Sequence, residues 1–202
     1  MTYILNIYKN KQYINFNITY NSNIIIQNKS NYNNFINSIF KIIKKKNINL
    51  NILKAVAIIL SPDNSHTINR NILSSAKGFC LGLNIKLIVL TKILLILKKY
   101  NKLLNIENKK YYLILINKNN YLIFKYSSKF NNFIYYKKIN NLLFLKKNYI
   151  YLISFHYKNK LYNNNFYFYK INYKYIIKLS YLFYYKKKYI LNINKFIPNL
   201  YI

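Results

Sequence analysis

The chain has 202 residues, of which 33 are Lys or Arg and only two are Asp or Glu, so its formal net charge is +31. Its 53% content of hydrophobic residues is ample for a core, and its length fits one large or two small domains. The single cysteine and two acids effectively exclude an internal disulfide, multi-cysteine or carboxylate metal sites, and catalysis by a pair of carboxylates.

The positive charge has two interpretations. A basic chain is typical of proteins that bind nucleic acid or anionic membranes. However, Lys, Asn, Ile, Tyr and Phe are also the residues that a very AT-rich coding sequence supplies by default, so coding bias explains much of the charge. In either case the near-absence of acids predicts self-repulsion in the folded state and a stability that rises with salt.

The N-terminal segment is too polar to be a signal peptide. The best candidate for a membrane span is Gly78–Leu97, but it contains Asn84, Lys86 and Lys92. Each central lysine costs about 3 kcal/mol on insertion scales, so the segment is interpreted as part of a folded core rather than a span. Together with the single cysteine, this predicts a cytoplasmic protein without a membrane partner.

The first hundred residues predict a mixed sheet with covering helices. Short alternating or apolar runs, separated by polar turns, predict an antiparallel meander of three strands: Thr2–Tyr8, Gln12–Tyr20 and Ser22–Gln27. Apolar residues at intervals of three and four then predict an amphipathic helix over Ser30–Lys46, with Ser30 or Asn31 as its cap.

The next elements alternate between strand and helix. The continuous apolar run Lys54–Leu60 predicts a strand buried on both faces. A helix capped by Thr67 is predicted to follow and to end near Leu83, then a strand over Ile85–Thr91 and a short helix over Lys92–Tyr100. This order predicts an α/β fold.

The second half has a weaker pattern. Tyr111–Asn117 and Tyr121–Tyr126 predict a hairpin, and Tyr175–Tyr185 predicts a helix. Further strands are predicted over Asn132–Tyr136, Leu142–Leu145 and Tyr149–Phe155. The domain boundary is predicted at Asn105–Lys110, which gives an N-terminal lobe over residues 1–100 and a strand-rich C-terminal lobe over residues 101–202. His156 is interpreted as a core or surface histidine.

Residue types that are rare elsewhere are concentrated between Leu53 and Leu97. This stretch contains both glycines, Gly78 and Gly82, together with the only cysteine, the only arginine and all three alanines. Ser74, Gly78 and Gly82 fall at intervals of four on one face of the predicted helix, and a helical glycine costs about 1 kcal/mol relative to alanine. Such a face lets another backbone approach closely, either a helix of the same chain, such as Tyr32–Lys46, or a helix of another subunit.

The loop from Ser61 to Thr67 joins a buried strand to a helix N-terminus, where anions are stabilised. Ser65, Thr67 and Arg70 are therefore candidate anion contacts, and the alternative is an ordinary capped connection. The loop has no glycine, unlike the phosphate-binding fingerprints. Asp63, Ser65 and His66 do not predict a catalytic triad, because the members of a triad converge from separate segments.

These residues resemble the TsaB (YeaZ) family. The resemblance lies in Ser61–Arg70 and in the following run Ser75–Leu90, SAKGFCLGLNIKLIVL, and it is good over about residues 31–91. The order of elements before this stretch is also similar. This chain departs from the family in two places. The family's Asp-Thr phosphate loop is replaced by Ile7–Asn10, and the glycines of the family's GPGSFTG loop are replaced by Ser61, Asp63 and Ile68.

The resemblance implies an actin-like, or ASKHA, α/β fold with a ribonuclease-H-like N-terminal lobe. It implies a non-catalytic scaffold subunit, without cofactors, in the machinery that makes N6-threonylcarbamoyladenosine at position 37 of tRNA. The implied partner is TsaD in a heterodimer, with TsaE as a further candidate and tRNA reached through the complex. The implied interface lies on helices 30–46 and 67–83, and its expected residues are Phe35, Ile36, Ile39, Phe40, Ser74, Lys77, Gly78, Leu81 and Gly82.

Two alternatives have different consequences. A basic RNA-binding or ribosomal protein would use lysines with exposed aromatic rings, which stack on single strands. It would not explain why glycine, alanine and arginine gather in one helix-centred stretch. An active kinase or peptidase of the same fold is disfavoured because the acidic residues that such chemistry uses are missing.

Overall fold

The computed structural model describes residues 2–10, 12–61, 65–92, 95, 111–117, 120–127, 132–139, 152–154, 166–168 and 173–193. The chain forms two compact units. The first comprises Met1–Lys92 with Ile171–Pro198, and the second comprises Ile93–Lys170 with Asn199–Ile202.

A five-stranded mixed sheet is the centre of the first unit. Its strands are β1 (Tyr3–Asn10), β2 (Tyr13–Tyr20), β3 (Asn23–Ser30), β4 (Leu53–Leu60) and β5 (Lys86–Thr91). They lie in the order β3-β2-β1-β4-β5, with β1 to β3 antiparallel and β4 and β5 parallel to β1. The predicted meander and the two strands predicted after it are therefore confirmed.

Two helices connect the parallel strands. A short 3-10 turn at Tyr32–Asn34 leads into α1 (Phe35–Lys45), and a second turn at Leu50–Ile52 leads into β4. The predicted caps of α1 are wrong, because Asn31 precedes the 3-10 turn without a side-chain hydrogen bond and the Ser30 hydroxyl instead pairs with Ser38 Oγ at 2.8 Å.

The second helix, α2, spans His66–Gly82. Its N-cap is Ser65 rather than the predicted Thr67, since Ser65 Oγ accepts the N–H of Ile68 at 3.3 Å. Its end is set by Asn84, which adopts the left-handed conformation with φ of 49°. The inward face of α2 buries Ile72, Ala76 and Phe79.

A third helix, α3 (Tyr173–Tyr185), returns to the first unit, so the predicted helix over Tyr175–Tyr185 is confirmed. The hydroxyl of Tyr181 donates to the carbonyl of Thr2 over 2.9 Å, although the two residues are 179 positions apart. After the helix, Ile190 forms an isolated antiparallel bridge with Leu87, next to the edge of β5. Residues of α3 and of the segment that follows it therefore contact the first sheet.

The second unit contains a sheet of order β10-β9-β6-β7-β8. Its strands are β6 (Tyr111–Asn117), β7 (Asn120–Ser127), β8 (Asn132–Ile139), β9 (Leu152–Ser154) and β10 (Phe166–Phe168). The predicted hairpin corresponds to β6 and β7, and the strand predicted from Asn132 corresponds to β8. The predicted strand Leu142–Leu145, the boundary Asn105–Lys110, His156 and nearly all of Lys92–Tyr100 lie outside the described residues.

Candidate docking groove

The stripe of small residues on α2 lies on the surface. Ser74, Gly78 and Gly82 are all exposed, and the Ser74 hydroxyl is turned back onto its own helix, where it donates to the carbonyl of Arg70 at 2.8 Å. This face therefore lacks long side chains, as the spacing predicted.

The neighbouring helix α1 contributes apolar side chains to the same region. Ile36 is 38% exposed and Phe40 is 46% exposed, so both present apolar area to solvent. Phe35 and Ile39 are 3% and 0% exposed and belong to the core. The predicted interface is therefore corrected here: Phe35 and Ile39 support α1 from below and are not available to a partner.

A groove with a volume of about 350 Å³ lies between α1 and α2. The rings of Phe40 and Phe79 are in contact across it, with centroids 5.3 Å apart. Its lining is almost entirely apolar, with one hydroxyl: Ile36, Phe40, Leu50, Ser75, Gly78, Phe79, Gly82 and Leu83. The two glycines thus form part of a concave apolar surface.

The environment of the glycines tests the explanation that a helix of the same chain packs over them. A Cβ added to Gly78 or Gly82 would meet no heavy atom of the described chain within 4 Å, apart from immediate neighbours and the helix's own backbone. Neither glycine has a positive φ, so no special backbone conformation requires them. The interpretation that a helix of the same chain, Tyr32–Lys46, packs closely over these glycines is therefore wrong. The observed helix α1 lies beside them and leaves them uncovered.

The remaining predicted interface residues lie beside the groove. Leu81 is 52% exposed, which is a large apolar exposure for a leucine, and Lys77 is half-buried. Four lining residues were not predicted as part of the interface: Leu50, Ser75, Phe79 and Leu83. Leu50 belongs to the short turn before β4, so no helical periodicity could identify it. Ser75 and Leu83 were missed because they lie beside the stripe and not on it.

Part of the loop that carries the predicted anion contacts, residues 62–64, lies outside the described residues. Ser65, Thr67 and Arg70 are exposed, but Ser65 Oγ is used as the helix cap. The buried side chain of Asn69 holds the end of β4: its Oδ1 accepts the N–H of Ser61 at 3.3 Å, and its Nδ2 donates to the Ser61 carbonyl at 2.7 Å. These contacts are those of an ordinary capped connection, the alternative already considered for this loop.

The end of β1 also has the geometry of a simple connection. β1 and β2 remain paired as far as Asn10 and Tyr13, so the strand runs directly into a hairpin. Tyr8 is buried, and burial raises the pKa of its hydroxyl above the usual value of 10.0. The end of β1 therefore continues into a hairpin in place of the phosphate loop of the family that the chain resembles.

Two further observations concern the described residues alone. No group of three or more His, Cys, Asp or Glu side chains in these ranges could hold a metal ion. In the same ranges, no helix combines the length and the apolar character needed to cross a membrane.

No known protein family and no curated protein matches this sequence. Among solved structures, the chain is similar to an uncharacterized protein from Pseudomonas aeruginosa with similarity to peptidase YeaZ, at 7% identity and a TM-score of 0.64 over 100% of both chains. It is likewise similar to YeaZ from Pseudomonas aeruginosa, at 6% identity and a TM-score of 0.64 over 98% of this chain and 99% of that one. The chain therefore has a YeaZ-like fold, and the predicted actin-like α/β fold class is confirmed.

Proposed function

We propose that this chain is a non-catalytic scaffold subunit of the machinery that makes N6-threonylcarbamoyladenosine at position 37 of tRNA. In this role it binds TsaD through the groove between α1 and α2 and supports it in a heterodimer. The uncovered glycines of the groove are the observation that carries the proposal, and the YeaZ-like fold supports it.

The groove has the features of a surface that is completed by another chain. Two helical glycines together cost the isolated protein about 2 kcal/mol relative to alanines, and nothing in the described chain requires them. A partner helix that approaches over Gly78 and Gly82 would bring its backbone close to α2. It would also bury the exposed parts of Ile36, Phe40 and Leu81, which provide the apolar area that drives association.

The non-catalytic part of the proposal rests on the chemistry of the chain. The only carboxylate side chains are those of Asp63 and Glu107, and the end of β1, where the family has its phosphate loop, is a hairpin. A scaffold needs neither catalytic carboxylates nor a phosphate loop, so we assign no catalytic residue. We further propose that TsaE contacts the complex and that tRNA reaches this chain through TsaD. The complex would act in the cytoplasm.

Co-expression with TsaD from the same organism tests the proposal. The wild-type chain is expected to co-purify with TsaD at a ratio of 1:1. Gly78→Leu fills the groove where a Cβ has open space, so it should abolish the complex without unfolding the chain. Lys178→Leu places an equal leucine on an exposed position of α3 and should leave the complex intact.

The two variants together make the result decisive. A wild-type chain that fails to bind TsaD overturns the proposal, and so does a Gly78→Leu chain that is folded and still binds TsaD with wild-type affinity. Circular dichroism and thermal unfolding of the purified variants establish whether each one is folded.

A further inference from the structure

We propose that a second concave surface, between β3 and the C-terminal end of α1, binds a segment of single-stranded RNA. This cleft has a volume of about 320 Å³. Its lining combines isoleucines, two amides and two lysines: Ile25, Ile26, Gln27, Asn28, Ile42, Lys45 and Lys46. We refer to it as the β3 cleft.

The positive charge of the β3 cleft favours a negatively charged polymer as its ligand. Lys45 and Lys46 are exposed at the end of α1. The only two acidic side chains of the protein, Asp63 and Glu107, lie outside the described residues, so no described carboxylate neutralises these lysines. A phosphate backbone provides a regular row of negative charges, and neutralising them releases counterions, which favours binding.

The uncharged part of the lining suits the bases. Ile25 is 49% exposed and, with Ile42, gives an apolar floor on which a base can lie. Asn28 lies on the face of β3 that is turned towards α1, and its amide nitrogen can donate to the edge of a base. A cleft for a free anion such as phosphate would have no use for the apolar floor.

An aromatic ring with a nearby cation lies further along the same strand. Lys29 Nζ is 5.1 Å from the centre of the Tyr13 ring, and Tyr13 is 40% exposed. Ser30 faces α1, since its hydroxyl pairs with Ser38 Oγ, so the side chain of Lys29 lies on the opposite face of the sheet. Because β3 is the outer strand, an RNA strand that leaves the cleft around this edge meets an aromatic platform and another cation, the combination that binds single strands without strong sequence preference.

The same edge of the sheet is less suited to an added peptide strand. β3 is the outer strand, and an acidic peptide could in principle pair with it. The backbone N–H of Lys29, however, already donates to Asn28 Oδ1 at 2.7 Å. An added strand would lose this donor, whereas RNA needs no backbone ladder.

The β3 cleft is separate from the docking groove. At about 100° per residue, Ile42, Lys45 and Lys46 lie on one side of the buried stripe of α1, and Ile36 and Phe40 lie on the other. A protein bound in the groove would therefore leave the cleft accessible, and the two proposals can fail independently.

Fluorescence polarisation with a labelled 12-nucleotide oligouridine tests the proposal on the full-length chain. The double variant Lys45→Ala/Lys46→Ala is compared with Lys178→Ala/Lys186→Ala, which removes the same charge from exposed positions on and after α3. We expect the cleft variant to raise Kd by roughly tenfold and to reduce the salt slope by about 1.4, since each phosphate contact contributes about 0.7. The control variant should change Kd by less than about twofold.

Two results would overturn the proposal. One is an equal loss of affinity in both double variants, which would mean that only the overall charge attracts RNA. The other is a polyglutamate peptide that displaces the oligouridine at equal salt and depends more strongly on Lys45 and Lys46, which would identify an acidic protein as the occupant. Retained binding of TsaD by the cleft variant would show that the docking groove is intact, whatever the outcome with RNA.

Discussion

The rings of Phe40 and Phe79 lie 5.3 Å apart with their planes tilted by 31°, and this contact joins α1 to α2 at the docking groove. The two rings differ in exposure, with Phe40 at 46% and Phe79 at 8%. Phe40 is therefore the member of the pair that a partner can cover, while Phe79 ties the groove to the core.

We expect Phe40→Ala to weaken the complex with TsaD much more than it weakens folding. Loss of the ring contact should lower the free energy of unfolding by about 1 kcal/mol, because aromatic pairs contribute 0.5 to 1.5 kcal/mol beyond burial and this ring is half-exposed. Guanidinium unfolding measures the first effect and titration with TsaD measures the second. A variant that loses folding stability but retains the full affinity would contradict the assignment of Phe40 to the interface.

Gly78→Ala should have opposite effects on the stability of the isolated chain and on its affinity for TsaD. The added methyl group has open space in the described structure, and alanine is the better helix former, so the free energy of unfolding should rise by about 1 kcal/mol. The same substitution should reduce affinity for TsaD, because it pushes the partner backbone outward. Thermal unfolding measures the stability of Gly78→Ala, and pull-down measures its affinity for TsaD. Ser74→Ala, a separate variant on the same face, is measured in the same way. A destabilised Gly78→Ala chain would contradict the geometry.

Much of the first unit could be predicted from the sequence. Periodicity identified the meander, α1, β4, α2 and β5 because each alternation or helical repeat is local. It could not assign the faces of α1, because Phe35 and Ile39 share the helical repeat with Ile36 and Phe40, and only the sheet beneath decides which pair is buried. The glycine stripe was identifiable because glycine is costly inside a helix and needs a reason.

The return of α3 to the first sheet could not be predicted. Its sequence predicted a helix, but its docking depends on contacts such as that of Tyr181 with Thr2, and such distant pairs leave no local pattern. The same limit applied to Leu50 in the groove, since its position is set by a 3-10 turn and not by a repeat.

Tyr181→Phe tests the docking of α3. Tyr181 is 3% exposed, and its hydroxyl donates to the Thr2 carbonyl at 2.9 Å, so removing the hydroxyl leaves a buried acceptor without this donor. The expected cost is about 1 kcal/mol in the free energy of unfolding. Tyr184→Phe, on a more exposed position of the same helix, is the matched control and should change stability by less than half of that amount. Equal effects would contradict the contact.

Asn69→Ala should be among the more damaging substitutions in α2. The side chain is 4% exposed and hydrogen-bonds both backbone groups of buried Ser61, so its removal takes two buried hydrogen bonds from the end of β4. We expect a loss of about 2 kcal/mol in the free energy of unfolding, since each such hydrogen bond contributes about 1 kcal/mol. Asn37→Ala, on the exposed side of α1, is the control for helix propensity. Chemical unfolding of the two variants gives the comparison, and similar losses would contradict the assigned role of Asn69.

Cys80 should be chemically inert in the folded protein. The thiol is 1% exposed, and burial raises its pKa from 9.0 to about 12. Because the thiolate is the reacting species, the folded chain at pH 8 contains roughly 1,000-fold less nucleophile than the unfolded chain. As the only cysteine, it gives a clean measurement: alkylation by iodoacetamide, followed by mass spectrometry, should be slow in buffer and fast in guanidinium.

The same pKa shift predicts how stability depends on pH. A thiol whose pKa is higher in the folded than in the unfolded chain stabilises the fold fully below pH 9, and this contribution is lost as the pH rises from 9.0 towards about 12. The stability of the wild type should therefore fall relative to that of Cys80→Ala over this range, because the buried tyrosines titrate equally in both proteins and cancel. Unfolding curves at pH 8, 9, 10 and 11 test this, and a constant difference between the two proteins would mean that Cys80 ionises as freely in the native state as in the unfolded one.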